Sequence, residues 1–132
     1  MTRTRRFGLS KSRLTAFEQC PRRLWLMIHN PQAAEVDDGA QARFDVGHQV
    51  GDIACALHPA GVMIEAEPDL RAALVTTARL IGEGHPGPLF EATFEHDGVL
   101  VRADILMRDG RHGWRMAEVK SSTQPKDYHL GD

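Results

Sequence analysis

Most of the familiar sequence signatures of catalysis are missing from this chain of 132 residues. It has no Gly-rich phosphate loop, no G-x-S-x-G nucleophile turn and no H-E-x-x-H zinc helix. Seven histidines are scattered along it without ligand spacing. The two cysteines, Cys20 and Cys55, are too few and too far apart for a disulfide framework or a self-contained zinc site. A reducing cytoplasm is therefore the expected setting. No apolar run approaches the roughly 20 residues that cross a bilayer, so no membrane partner is expected. The basic start, Met1-Thr-Arg-Thr-Arg-Arg, is not followed by the apolar segment of a secretory signal. Aromatic content is only 6%, so no stacking platform for single-stranded nucleic acid is evident.

What is present begins with charge. The net charge is −2, but it is unevenly spread. Residues 1–23 carry Arg3, Arg5, Arg6, Lys11, Arg13, Arg22 and Arg23 against Glu18 alone, so the remainder is markedly acidic. A basic segment on an acidic body suggests a polyanion contact at one place. Arg13, Arg22, Arg23 and Arg102 are the candidates for phosphate contacts, which would be salt-sensitive and blind to sequence. Solvated helix faces are the plainer reading of the same residues.

The chain is long enough for one domain with a real core. Ser10 or Ser12 is expected to cap a first helix. Pro21 should end or kink it and serve as the first residue of a second helix through Ile28. Gln32 to Gly39 reads as a loop. A longer helix is expected over residues 40–57, with Val46, Val50, Ile53, Ala54 and Leu57 as one apolar stripe. Gly47, Gly51 and Cys55 form a second stripe of small residues that would allow another backbone to approach closely. Val62 to Glu65 reads as a short strand, and Pro68 opens a helix to about Ile81. Gly82 to Pro88 breaks the chain. Leu89 to Phe94, Val99 to Met107 and Gly113 to Val119 then read as a β-meander, with turns at Asp97-Gly98 and Asp109-Gly110. The expected class is α/β with an α+β-like order: a basic helical segment over 1–31, a helical region over 40–84 and a β-meander over 89–120, with the helices packed on a small mixed sheet.

Asp104, Glu118 and Lys120 are the strongest chemical signal. Glu118 and Lys120 are two apart, so they share one face of a strand. A hairpin centred on Arg111 would set position 104 opposite position 118, with Lys120 one step along. Facing carboxylates repel, and a sheet that tolerates them usually has a cation between them. Two carboxylates with water and phosphate oxygens suit Mg²⁺ or Mn²⁺. A surface salt bridge between Lys120 and an acid is the plainer alternative. Glu91 on the first strand of the meander and His48 on the long helix are further candidate ligands. Each also reads as an ordinary exposed side chain.

The pattern Asp104…Glu118-Val-Lys120, followed by Ser121-Ser122-Thr123, resembles the PD-(D/E)XK motif of the restriction-endonuclease-like superfamily. The opening stretch Leu9-Ser10-Lys-Ser-Arg-Leu14…Phe17-Glu-Gln-Cys20-Pro21-Arg-Arg-Leu-Trp25 resembles the start of RecB-like and CRISPR-associated exonuclease-like members. More closely, both ends resemble a bacterial domain-of-unknown-function family within that branch. The resemblance implies a restriction-endonuclease-like core and a Mg²⁺- or Mn²⁺-dependent DNA nuclease, with Asp104, Glu118 and Lys120 at the active site. Retention of the fold as a catalytically inactive nucleic-acid-binding module is the alternative. A purely structural domain, with its acids paired to arginines such as Arg102 or Arg115, is a third.

There are departures from the family pattern. The G-x-x-x-H ligand position of RecB-like members falls on Gly47 and Gly51, with His48 out of register. Cys20 resembles the first cysteine of an iron–sulfur site in some relatives, but such a cluster needs four thiolates, so none is expected in this chain alone. Tyr128-His-Leu-Gly-Asp132 looks like the start of a helix, where relatives continue with a Q-x-x-x-Y helix. The resemblance therefore implies an N-terminal fragment, incomplete at the C-terminus, whose remaining polypeptide would be a partner.

Overall fold

In the computed structural model, residues 8–34, 38–111 and 113–126 are described. The expectations for Arg3, Arg5, Arg6 and the segment Tyr128 to Asp132 fall outside them. Among the described residues the architecture is mixed α/β, with four helices and an open sheet of five strands. Strand β1 (Leu9–Ser10) leads into α1 (Lys11–Gln19), then α2 (Pro21–His29), a 3-10 turn (Pro31–Ala33) and α3 (Asp38–Ala56). Strand β2 (Val62–Met63), α4 (Leu70–Gly82), β3 (Leu89–His96), β4 (Val99–Asp109) and β5 (Gly113–Ala117) follow.

Local chemistry explains these boundaries. Ser10 is extended at the N-cap of α1, and its hydroxyl accepts from the Arg13 N–H at 3.4 Å. Cys20 is extended, which ends α1, and Pro21 begins α2 where no backbone donor is needed. Helix α4 opens two residues later than expected. Its cap is Asp69, which accepts from the N–H groups of Arg71 and Ala72 at 2.9 and 3.1 Å, and Pro68 lies outside it.

The core lies between α4 and the sheet. Ala73, Thr77 and Leu80 recur at helical spacing and are buried. They meet Ile64 of the β2–α4 connection, Leu89 and Ala92 of β3, and Ala103 and Leu106 of β4. Thr77 ties the two layers together. Its hydroxyl donates to Ala73 O at 2.8 Å and accepts from the Thr93 N–H of β3 at 2.9 Å.

Strand β4 organises the sheet. It pairs antiparallel with β3 along one edge, from Leu106 opposite Leu89 to Val99 opposite His96. Its other edge is shared by two partners. β1 runs parallel to its start, with Leu9 at Val99 and Ser10 at Leu100. β5 runs antiparallel to its end, from Asp109 at Gly113 to Ile105 at Ala117. The chain thus approaches residues 101–104 from both directions along one edge.

The apolar stripe expected to bury α3 does not do so. Val46, Ile53 and Leu57 are 50%, 63% and 73% exposed. The stripe of small residues carries no close approach either, because a Cβ at Gly47 or Gly51 would meet nothing within 4 Å. The periodicity identifies the helix correctly but not what covers its apolar face. The apolar residues Phe17 and Trp25 of α1 and α2 are likewise more than half exposed.

Candidate functional site

The hairpin register places the two acids together. Every β4–β5 pair is centred on position 111, and the last is Ile105 with Ala117. The next step along the same register sets Asp104 against Glu118, where β5 ends. Asp104 replaces the ladder there. Its Oδ2 accepts from the Val119 N–H at 2.7 Å, a charge-assisted bond that holds the carboxylate and the departing chain in one geometry.

A third acid lies at the same level on the other side. Phe90 pairs with Ile105 and Ala92 with Ala103, so Glu91 falls opposite Asp104. The ladder skips that pair because Glu91 has φ +58°, a left-handed conformation uncommon outside glycine. Holding a glutamate there costs on the order of 1–3 kcal/mol. Glu91, Asp104 and Glu118 thus form a row across β3, β4 and the exit of β5.

Lys120 reaches this row as the spacing implies, with Nζ 3.1 Å from Glu118 Oε1. A second ammonium meets the same oxygen. Lys11 Nζ, from the first residue of α1, lies 2.5 Å from Glu118 Oε1, and both side chains are about 30% exposed. Lys11 escapes a reading of the sequence as a site residue because it is 107 positions away. Only the parallel pairing of β1 with β4 brings it there.

Facing the acids is a cleft of about 580 Å³. Gly47, His48, Gly51, Asp52 and Cys55 line its α3 side, and Glu91, Asp104 and Glu118 line its sheet side. The small-residue stripe of α3 therefore borders a cavity instead of a packed neighbour. His48 is exposed and faces this cleft. Asp52, four residues on from it, was not expected there, although the spacing from His48 puts both on one helix face.

The field of the acids is visible in their neighbours. Burial pushes the Glu91 carboxyl above its usual range, the Arg102 guanidinium opposes this, and Asp104, Glu118 and Glu65 push it further up. Burial also raises the Cys55 thiol, with Asp52, Glu91 and Asp104 adding to the rise.

Arg102 is engaged within the sheet. Its Nε lies 3.2 Å from Glu91 Oε2, an ion pair without hydrogen-bond geometry, and its Nη2 donates to Ile64 O at 3.1 Å. It braces β4 against the β2 side of the sheet. Arg115 pairs with Asp109 at 3.2 Å. Neither arginine neutralises Asp104 or Glu118. Arg13 Nη1 donates to Gly8 O at 3.0 Å. Arg22 and Arg23 are exposed, and Arg23 bonds Gln19 within the helical segment. Cys20 is exposed at the α1–α2 junction, and Cys55 is a half-buried residue of α3.

For a divalent cation the donor chemistry of Asp104 and Glu118 fits. Both are hard carboxylates, and Mg²⁺ takes one or two protein acids with water and phosphate oxygens. Among the described residues, no group of three or more His, Cys, Asp or Glu side chains is gathered closely enough to hold a metal ion. Also among them, no helix is long and apolar enough to cross a membrane. No protein-family model matches this chain, and no curated protein and no solved structure matches it.

Proposed function

We propose that this domain is the core of a divalent-metal-dependent DNA nuclease of the RecB-like type, with a restriction-endonuclease-like arrangement of its sheet. The observation that carries the reading is the meeting of Asp104 and Glu118 at the wall of an open cleft, with Lys120 against Glu118. Asp104 and Glu118 would hold Mg²⁺ or Mn²⁺, with Glu91 as the adjoining acid. The bound cation supplies a more acidic water and offsets charge developing on phosphorus.

The chain's own residues do the rest. The Val119 N–H fixes Asp104, so one carboxylate oxygen is committed to orientation. Lys120 supplies a mobile ammonium beside Glu118 that can donate to a phosphate oxygen or to the attacking water. The cleft would take the nucleic acid along α3, where Gly47 and Gly51 line it. Arg22 and Arg23, exposed on α2, provide contacts to the backbone of the nucleic acid.

Cleavage of linear duplex DNA in Mn²⁺ tests the assignment. Glu118→Gln and Lys120→Met should each lower the rate by about a hundredfold or more. An unchanged rate in Glu118→Gln would remove it.

A second reading is favoured by one observation. The Glu118 carboxylate is already neutralised by Lys11 and Lys120, as it would be in a module that keeps the fold and binds DNA without cutting it. That module would bind DNA with strong salt dependence and show no metal-dependent turnover.

A further inference from the structure

Lys11 and Lys120 place two ammonium groups on one carboxylate oxygen, at 2.5 and 3.1 Å. The two ammoniums repel each other across that shared oxygen. Topology imposes the crowding. β1 enters parallel to β4 and delivers Lys11 just past Leu100, while β5 leaves antiparallel and delivers Glu118 at the level of Asp104. Lys11 also lines a groove along the helical segment together with Ser12 and Arg23. Lys11 therefore touches the acidic row and also borders a groove that Arg23 lines.

We infer that Lys11 is a second lysine of this site, a positioning residue that holds Glu118 in the cation-free protein and passes to a phosphate oxygen of the nucleic acid when a divalent cation takes Glu118. The inference rests on the metal-dependent reading above. An ammonium and a divalent cation compete for the same oxygen because both are positive and each requires it. Lysine suits the exchange, since its charge is compact and its four-carbon stem is flexible. Without a cation, Lys11 ties α1 to the hairpin exit. With one, it adds a phosphate contact beside Lys120, next to the groove that Arg23 also lines.

Two binding measurements on the full chain test this, with neither needing turnover. In calorimetry with Mn²⁺ alone, Lys11→Met and Lys11→Gln should bind Mn²⁺ roughly three- to tenfold more tightly than wild type. The glutamine keeps a hydrogen-bond donor and covers the case in which the methionine variant fails to fold. Arg71→Met, a charge-matched change on α4 outside the cleft, should leave Mn²⁺ affinity as in wild type. With Ca²⁺ as the cation and a short DNA duplex as ligand, Lys11→Gln should bind more weakly and lower the salt slope by about one. Lys11→Arg should restore the slope. If Glu118→Gln abolishes Mn²⁺ binding while both neutral Lys11 variants match wild type in Mn²⁺ and DNA affinity, the role of Lys11 is overturned and the metal site stands. If Glu118→Gln binds Mn²⁺ as wild type does, the metal reading fails and the inference fails with it.

Discussion

At the scale of single residues, the site is a row of acids with unequal surroundings. Asp104 has a backbone N–H, Glu118 has two ammoniums, and Glu91 has an arginine and a strained backbone. Glu91 is the one whose carboxyl is pushed up, by burial first. A raised acid favours the folded state when protonated, so its contribution is full below the ordinary value of 4.5 and is lost as pH rises through the shifted value. In metal-free buffer, Glu91→Gln should therefore gain stability relative to wild type as pH goes from 4 to 7. Urea unfolding at a series of pH values measures this. A difference that is flat with pH, or that shrinks as pH rises, would contradict the burial of an ionisable Glu91. Asp104 and Glu118 were legible because the turn sets the hairpin register, although β5 ends at Ala117, before Glu118 and Lys120. Lys11 was not, because its place depends on a two-residue parallel strand, which leaves no periodic signal.

At the scale of elements, the β-meander could be read almost to its ends. Asp97-Gly98 and Asp109-Gly110 have Asp97, Gly98 and Gly110 at positive φ, the backbone state those residue types accept most readily. The hairpin centre at position 111 followed from the same turn. Helix α3 was legible as a helix, but its apolar stripe lies exposed and its small-residue stripe faces the cleft. Periodicity reports a distinct face and is silent on which partner meets it. Helix α4 is the counter-example, since its buried positions include a threonine that hydrophobicity would not select. Thr77 is isosteric with valine but carries the hydroxyl that satisfies the Thr93 N–H. Thr77→Val should lower unfolding free energy by about 1–3 kcal/mol, because a buried donor loses its partner. Chemical denaturation gives the value directly. A neutral result would mean that the helix–strand tie is dispensable.

At the scale of the whole molecule, a compact half and an exposed half meet at the cleft. Helix α4 and strands β2 to β4 bury the core, whereas α1, α2 and α3 keep large apolar side chains in solvent. The acidic row lies where these halves face each other, with carboxylates from the sheet on one wall and His48, Asp52 and Cys55 of α3 on the other. The organisation as mixed α/β was readable because strand and helix periods differ. The order of strands was not, since the parallel pairings of β1 and β2 join segments far apart in sequence. The proposed role of Asp104 and Glu118 is to hold a divalent cation over a phosphodiester. It is tested most directly by incubating the full chain with linear duplex DNA in Mn²⁺ and in EDTA, wild type beside Asp104→Asn. Wild type should cleave in Mn²⁺ alone, and the variant about a hundredfold less or lower still. Equal cleavage by both proteins, or cleavage that persists in EDTA, would contradict it.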